Sequence, residues 1–256
     1  MHVLCSQLGV SFDSMAGRVQ ALADITFETR EGEFLAIVGP SGSGKTTLLR
    51  IIAGLLFPEL GSVKRISVEN DTGRALMVFQ EDNLFPWMTV LENAAFGLEM
   101  MGVDKVERHS RAREMLQRCG MAGWDGYYPA QLSLGMKQRV AVIRCFLSNP
   151  SLLLMDEPFS ALDVQTRLTL QEELLTLWEQ FRKSVIFVTH DIEEAILLSD
   201  RVLVLGNRPA TVLDSFRVTF SRPRRAELTL DEEFLLLKRK IWSRLGRESR
   251  MAARAS

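Results

Sequence analysis

Short apolar runs recur along this chain, and each of them is followed by a polar residue or a glycine. Four runs show no alternation and lie at residues 34–38, 152–155, 185–188 and 202–205. Runs of this length that are rich in Val, Ile, Leu and Phe are typical of strands buried on both faces of a mostly parallel sheet. Segments with helical spacing, such as residues 168–181 and 192–198, lie between them. The pattern predicts an α/β domain whose helices cover a twisted sheet.

Two further regions depart from that pattern. Residues 4–10 and 25–33 alternate between apolar and polar positions and end in glycine-containing turns, which predicts an N-terminal antiparallel β subdomain. Residues 83–148 carry few strand signals but long helical patterns at 105–119 and 135–147. We therefore predict a helical lobe, at about residues 83–148, inserted into the α/β core.

The composition is that of a folded protein with a sizeable core. Of the 256 residues, 46% are hydrophobic, and 31 Lys and Arg balance 32 Asp and Glu. These values exclude disordered, collagen-like and highly charged classes, and the length fits one large domain or one domain with an embedded lobe. A net charge of −1 gives no overall attraction to nucleic acid or to anionic lipid, so no nucleic-acid partner is expected. The sequence has no apolar run that approaches the roughly 18 residues needed to span a bilayer.

The final segment, residues 221–256, differs in charge from the rest of the chain. It holds ten basic and five acidic residues, and so follows a more acidic body. Four of its apolar residues share one helical face, namely Phe234, Leu237, Ile241 and Leu245. We predict a basic helical extension at 221–256 after a domain at 1–220. Its apolar face either packs on that domain or serves a partner or a regulator.

A glycine-rich loop is the most specific chemical motif in the chain. Residues 39–46 read Gly-Pro-Ser-Gly-Ser-Gly-Lys-Thr and fit the pattern G-x-x-x-x-G-K-[ST] between an apolar run and a helical segment. Glycines let backbone N–H groups point inward at phosphate, and Lys45 adds a full positive charge for the β and γ phosphates. Thr46 offers a hydroxyl to Mg²⁺. The sequence therefore predicts a P-loop NTPase core with a mostly parallel sheet.

Polar side chains follow two further apolar runs. Asp156 and Glu157 end one run, and His190 follows another. Because the carboxyl ends of parallel strands face the same edge of a sheet, we expect these side chains beside the phosphate loop. Asp156 is placed to hold Mg²⁺, Glu157 to polarise an attacking water, and His190 to contact the γ-phosphate.

Taken in order, the motifs resemble those of the ATP-binding subunit of an ABC transporter, and the likeness covers nearly the whole chain. Six motifs carry it: the Walker A loop 39–46, Gln80 in Val-Phe-Gln-Glu, the signature Leu132-Ser-Leu-Gly-Met136, Walker B ending at Asp156-Glu157, the D-loop Ser160-Ala-Leu-Asp163, and His190. The resemblance implies an ATPase that uses ATP and Mg²⁺.

The resemblance also implies a role for individual residues. The nucleotide-binding positions would be Gly39, Pro40, Ser41, Gly42, Ser43, Gly44, Lys45, Thr46 and Thr47. Thr46, Gln80 and Asp156 would hold Mg²⁺, while Gln80, Glu157 and His190 would act in hydrolysis. Phe12 stands where the family has an aromatic side chain that stacks on adenine.

In the family two such subunits pair head to tail around ATP. Ser133 and Gly135 of one copy would then touch the γ-phosphate held by the other copy, and Asp163 would also contact the nucleotide site. The resemblance thus implies a homodimer in which ATP joins the two copies and hydrolysis releases them.

Within the family, residues 83–93 resemble the nitrate, taurine and aliphatic sulfonate importers through their Pro-Trp-x-Thr-Val element. This implies uptake of a small anionic solute, two membrane-spanning permease subunits and an extracytoplasmic solute-binding protein. The chain would then be peripheral, at the cytoplasmic face of the inner membrane. Trp87 either lines a groove that receives a helix of the membrane subunit or packs inside the lobe.

One residue departs from the family pattern, because Leu134 stands where the signature usually has glycine. If that position needs a positive φ or close approach to phosphate, leucine costs on the order of 1 to 2 kcal/mol, and otherwise the cost is small. We expect ATP-driven closure that is weakened but retained. Two alternatives remain: a regulatory nucleotide-binding subunit with little or no hydrolysis, and an ABC ATPase outside transport.

Overall fold

The computed structural model describes residues 1–15, 17–67, 73–81 and 83–255. Its strands are β1 (His2–Ser14), β2 (Gly17–Glu28), β3 (Phe34–Val38), β4 (Leu60–Ile66), β5 (Ala75–Val78), β6 (Leu152–Asp156), β7 (Ser184–Thr189), β8 (Arg201–Leu205) and β9 (Val212–Arg217). Its α-helices are α1 (Lys45–Ala53), α2 (Val90–Met100), α3 (Lys105–Arg118), α4 (Leu134–Leu147), α5 (Val164–Phe181), α6 (Ile192–Leu198) and α7 (Glu232–Ala255).

A six-stranded sheet in the order β5-β6-β7-β3-β8-β9 forms the centre of the fold. Its strands pair in parallel except for β9, which runs antiparallel to β8. The four apolar runs without alternation form β3, β6, β7 and β8, and nearly all their residues are buried. The prediction of a mostly parallel sheet is therefore confirmed.

Each central strand contributes side chains to two separate cores. In β3, Leu35 and Ile37 pack with helix α1 and the antiparallel sheet. Ala36 and Val38 pack on the opposite face, where helices α4 to α7 cover the sheet. Because side chains alternate between the faces of a strand, a strand covered on both sides must be apolar at every position. This explains why these runs lack alternation.

The N-terminal strands form a separate antiparallel sheet in the order β2-β1-β4. The predicted antiparallel subdomain is confirmed, but the expected strand 25–33 is too long, since β2 ends at Glu28. The chain turns there, and Gly32 at the turn has φ +66°, a conformation that does not continue a strand.

Helices α2, α3 and α4 occupy the region for which the sequence predicts a helical lobe. The predicted helices 105–119 and 135–147 correspond to α3 and α4 to within one residue. Helix α2 begins with a capping box, in which Thr89 and Glu92 each accept a hydrogen bond from the other's backbone N–H.

Helix α7 lies against α6, β8 and β9. Phe234 and Ile241, on its apolar face, are fully buried in the same core as the sheet. Up to residue 246, the apolar face of the basic segment therefore packs on the chain's own domain. Within the described ranges, none of the helices combines the length and the apolar character needed to cross a membrane.

Candidate functional site

Three neighbouring parallel strands bring the predicted site residues to one edge of the sheet. Strands β6, β7 and β3 are adjacent, and their carboxyl ends lead into Asp156 and Glu157, into His190, and into the loop 39–44. This edge is where ligands bind in open α/β sheets. The predicted meeting of these side chains follows from the strand order.

The loop 39–44 is shaped to approach an anion closely. Gly44 precedes helix α1 with φ +98°, and a Cβ atom there would lie 2.8 Å from the side chain of Leu22. The first N–H groups of a helix have no partner within the helix and favour negative charge. Ser43 is 1% exposed, and its hydroxyl has no hydrogen-bond partner within the described structure. A buried donor of this kind calls for a ligand.

Lys45, the first residue of α1, is buried at the centre of the edge. Its ammonium donates hydrogen bonds to the carbonyl oxygens of Gly39 at 2.9 Å and Pro40 at 3.0 Å. Oε1 of Glu157 lies 3.8 Å from its Nζ atom. Burial lowers the pKa of Lys45, and the carboxylates of Glu157 and Asp156 oppose that effect. An additional negative charge nearby would stabilise the charged form of this buried ammonium.

Thr46 and Asp156 form the second pair at this edge. The hydroxyl of Thr46 donates to Oδ1 of Asp156 at 3.0 Å. Asp156 is 4% exposed, and burial raises its pKa, an effect that the Thr46 hydrogen bond reduces. Hydroxyl and carboxylate oxygens are hard ligands of the type that Mg²⁺ prefers.

Glu157 and His190 form the third pair. Oε2 of Glu157 lies 2.9 Å from Nδ1 of His190, and the Glu157 backbone N–H donates to Val188 O at 2.9 Å. Glu157 has φ +44°, which is uncommon for a residue with a side chain. The backbone turns sharply after β6, and such strained positions concentrate at functional sites.

Gln80 follows β5 and reaches the same edge through a serine. Its Nε2 donates to Ser160 Oγ at 3.4 Å, and Ser160 Oγ donates to the Glu157 carbonyl at 3.0 Å. Gln138 of helix α4 donates to the Gln80 carbonyl at 2.9 Å. The loop that carries Gln80 is thus joined both to this edge of the sheet and to the helical lobe.

The signature residues lie at the start of helix α4. Ser133 is the N-cap, and its hydroxyl accepts from the Met136 N–H at 3.3 Å. Leu134 is the first helical residue, has no positive φ and is 39% exposed. The alternative in which leucine strains a left-handed backbone is therefore excluded. At Gly135 a Cβ atom would lie 2.4 Å from Thr166 Cγ2, which explains a glycine there.

Asp163 and Phe12 lie on other elements around the edge. Asp163 caps helix α5, and the Thr166 side chain, together with the Thr166 backbone N–H that donates to it at 3.0 Å, lowers the pKa of Asp163. Phe12 is 43% exposed on β1, opposite Val19 of β2. Since Ala21 and Leu22 of β2 contact Gly44, this hairpin lies beside the phosphate loop.

The donor set fits a nucleoside triphosphate with a divalent cation. The unpartnered Ser43 hydroxyl, the buried Lys45 ammonium and the start of α1 suit phosphate oxygens. The hydroxyl of Thr46 and the carboxylate of Asp156 suit Mg²⁺.

Comparison with known proteins agrees with this geometry. The family model described as ABC transporter matches residues 22–160, more than half of the chain. The chain belongs to the ABC transporter family. As a member it is an ATP-binding subunit of ABC type, and so an ATPase.

Three relatives are similar over most of the chain. An uncharacterised ABC transporter ATP-binding protein of Methanocaldococcus jannaschii is 47% identical over 90% of this chain and 86% of its own. The nitrate import ATP-binding protein NrtD of Synechocystis sp. is 44% identical over 83% of this chain and 80% of its own. The taurine import ATP-binding protein TauB of Pseudomonas savastanoi pv. phaseolicola is 43% identical over 84% and 83%.

Solved structures of ABC cassettes share the fold. A dimeric post-hydrolysis state of the cassette MJ0796 bound to ADP and Pi has a TM-score of 0.75 and 31% identity. The match covers 86% of this chain and the whole of that one.

Four residues that contact the candidate site or its neighbours had no assigned role from the sequence. Ser160 lies in the D-loop motif, yet its link between Gln80 and Glu157 depends on tertiary contacts. Gln138 lies within a helix, and no local pattern distinguishes it. Thr189 and Glu194 flank the His190 turn, and the only available signal was their place next to that histidine.

Proposed function

We propose that this chain is the ATP-hydrolysing, energy-coupling subunit of an ABC importer that takes up a small anion of the nitrate or sulfonate type. One observation carries the proposal of hydrolysis. The Glu157 carboxylate lies between the Lys45 ammonium at 3.8 Å and the His190 imidazole at 2.9 Å. A carboxylate fixed in this way beside a phosphate loop is suited to act as a general base.

The nucleotide would be held by the loop and by helix α1. Gly39 to Thr46, with Thr47, would surround the phosphates, and Lys45 would exchange its bonds to the Gly39 and Pro40 carbonyls for phosphate oxygens. Thr46 and Asp156 would hold Mg²⁺, with Gln80 reaching it from the β5 loop. Phe12, partly exposed on the hairpin whose residues Ala21 and Leu22 lie next to Gly44, would stack on the adenine.

In hydrolysis the two oxygens of Glu157 would have different tasks. Oε2 contacts His190, which orients the carboxylate, while Oε1 is free of that contact and would accept the proton of the attacking water. ATP supplies the phosphoryl group and Mg²⁺ neutralises its charge. A positioned base of this kind contributes about 10² to 10⁴-fold in rate.

A second copy of the chain would complete each site. Ser133, at the exposed start of α4, and Gly135 would approach the phosphate held by the partner copy, and Asp163 would lie at the same interface. A helix N-terminus is suited to contact a phosphate. The dimeric state of the cassette MJ0796 supports this arrangement.

A groove between the core and the helical lobe would receive the membrane subunit. It has a volume of about 680 Å³ and an apolar lining that includes Phe85, Phe96 and Met100 beside Arg144. Trp87 is 70% exposed, and its ring centroid lies 5.5 Å from that of Phe85 at this groove. Trp87 does not pack inside the lobe, so the structure favours its role in partner contact.

The relatives support the proposed solute class and location. Proteins named for nitrate import and taurine import are 44% and 43% identical to this chain. By analogy with these importers, we propose that the chain works with two membrane-spanning permease subunits and an extracytoplasmic solute-binding protein. Its position would be peripheral, at the cytoplasmic face of the inner membrane. The regulatory alternative is not favoured, because Leu134 causes no backbone strain and Glu157 contacts His190.

Uptake by reconstituted vesicles tests this function. The chain, its membrane subunits and its solute-binding protein are reconstituted, and ATP-dependent accumulation of nitrate, taurine and alkanesulfonates is measured. We expect uptake of one of these solutes, and Lys45→Met should abolish it. Lys105→Met, at an exposed position on α3, is the matched control and should leave uptake unchanged. Uptake that is unaffected by Lys45→Met, or no uptake of any of these anions, contradicts the proposal.

A further inference from the structure

A buried polar pair joins helices α5 and α6 behind the catalytic edge. Gln171 Nε2 donates to Oε1 of Glu194 at 2.9 Å, and the two residues are 3% and 6% exposed. Burying a carboxyl group and an amide costs free energy unless both are hydrogen-bonded. Helix α5 follows the D-loop and α6 follows His190, so the pair connects two segments of the proposed site.

Glu194 also reaches the residues on both sides of His190. The Thr189 side chain lies near the Glu194 carboxylate and lowers its pKa, against the larger effect of burial, which raises it. The Thr189 hydroxyl accepts from the backbone N–H of Asp191 at 3.0 Å. A hydroxyl that accepts one hydrogen bond still has a proton to donate, and the Glu194 carboxylate is the acceptor that we infer for it. His190 therefore lies between Thr189, which is next to the buried Glu194 carboxylate, and Asp191, whose Oδ1 accepts from the Glu194 backbone N–H at 3.3 Å.

A second contact between the same helices is weaker. Arg167, one turn before Gln171, donates to the D-loop carbonyl of Leu162 at 3.1 Å. Its Nη1 lies 3.8 Å from Oδ2 of Asp191, and both side chains are about one-third exposed. Ion pairs with this exposure contribute little, so the buried Glu194 is the stronger restraint.

The opposite side of α6 is fixed by the C-terminal segment. Lys238 of α7 forms an ion pair with Glu193. Arg224 is 5% exposed and donates to the carbonyls of Ile196, Leu197 and Ser199, at the end of α6. Helix α6 is therefore held from both sides, and its first turn, which carries Glu194, has a defined position relative to β7.

We infer that Glu194 is a positioning residue for His190, and that Gln171 fixes Glu194. The inference rests on the proposed function, in which His190 orients Glu157. The His190 side chain is about half exposed, and its ring contacts Oε2 of Glu157. The backbone on either side of it must then set the ring position. A misplacement of about 1 Å at a catalytic group can cost on the order of 10²-fold in rate.

The first test follows the His190 ring directly and needs no activity. Ring ¹H–¹⁵N spectra are recorded for the full chain without nucleotide, as wild type, Glu194→Leu and Glu194→Gln. We expect the His190 resonances to move in Glu194→Leu, because leucine matches the volume but accepts no hydrogen bond. Glu194→Gln retains an acceptor for Thr189 and should restore them. His2 and His109 serve as internal references.

Glu193→Leu is the matched control, since Glu193 precedes Glu194 on α6 but pairs outward with Lys238. It should leave the His190 resonances in place. Unchanged His190 resonances in Glu194→Leu, or equal changes in Glu193→Leu, overturn the inference. If Glu194→Leu does not fold, Gln171→Leu is used instead, with the carboxylate still present. There too, an unmoved His190 ring overturns the inference.

The second test asks whether Glu194 acts through His190. We expect Glu194→Leu to lower kcat by about 10 to 100-fold with KM for ATP nearly unchanged. In a His190→Ala background the same substitution should have no further effect on kcat. A full additional loss in that background contradicts the inference. If the wild type hydrolyses no ATP, the proposed function fails while the ring spectra still decide the role of Glu194.

Discussion

Nδ1 of His190 lies 2.9 Å from Oε2 of Glu157, although 33 positions separate the two residues in the sequence. The pairing of β6 with β7 in a parallel register brings them together, since each residue follows the carboxyl end of its strand. The left-handed backbone at Glu157 turns its side chain toward the histidine and the phosphate loop. The contact therefore derives from sheet topology and not from local sequence.

Glu157→Gln should convert the chain into an ATP-stabilised dimer. Glutamine retains the size of the side chain but does not accept a proton from water, so bound ATP persists and keeps two copies together. With saturating ATP and Mg²⁺, we expect the molecular mass measured by light scattering to be twice that of the monomer. With ADP, the protein should remain a monomer. A variant that stays monomeric with ATP would show that pairing needs the membrane subunits or that the signature is defective.

Leu134→Gly and Leu134→Ala should raise the ATPase rate by similar, modest factors. Leu134 is a helical residue without positive φ, so any obstruction at the signature comes from the exposed side chain and not from the backbone. Initial rates of phosphate release at saturating ATP measure the effect. A gain in the glycine variant alone would point to backbone strain, and a loss in both would refute a handicapped signature.

The sequence was sufficient for most of the fold and for the residues at the sheet edge. Runs buried on both faces identified β3, β6, β7 and β8, and the G-x-x-x-x-G-K-[ST] pattern identified the phosphate loop. These signals are local. The roles assigned to the site residues and the division at residue 220 stay predictions.

The contacts that connect the site residues could not be predicted from the sequence. The hydrogen bond from Gln80 to Ser160, which continues to Glu157, and the hydrogen bond from Gln171 to Glu194 join residues 80 and 23 positions apart. No sequence pattern distinguishes these residues. What sets a buried polar side chain apart is its burial, and burial is seen only in the structure. Helix α2 lies within the region predicted to be helical, but its own bounds were not predicted, and the capping box at Thr89 marks its start.

The stability of the chain should depend on pH through Glu194. Burial raises the pKa of Glu194 from its ordinary value of 4.5 to about 6. The folded state therefore binds this proton more tightly than the unfolded state. The stabilisation is fully present below about pH 4.5 and is lost as the pH rises through about 6. Glu194→Gln removes this dependence, an effect of about 2 kcal/mol.

Urea unfolding of wild type and Glu194→Gln at a series of pH values measures that dependence. The free energy of unfolding of the wild type minus that of Glu194→Gln should change as the pH rises from about 4.5 to 7. The contributions of the other titrating groups are the same in both proteins and cancel in this difference. Glu193→Gln, at a more exposed position on the same helix, is the control. A constant difference between wild type and Glu194→Gln would contradict the raised pKa.

The apolar face of α7 should stabilise the whole domain. Phe234 is fully buried, so Phe234→Ala should lower the free energy of unfolding by about 3 to 5 kcal/mol. Trp242 on the same helix is 61% exposed, and Trp242→Ala should change it by less than about 0.5 kcal/mol. Chemical denaturation measures both. Equal effects would show that α7 does not pack as described.

Phosphate release tests the central claim, that the edge formed by Lys45, Glu157 and His190 hydrolyses ATP. Purified wild type and Glu157→Gln are compared at saturating ATP and Mg²⁺, with ATP binding measured in parallel. The account predicts turnover by the wild type and a fall of at least about 10²-fold in the variant, with ATP binding retained. Equal rates in the two proteins, or no release by a wild type that binds ATP, would contradict it.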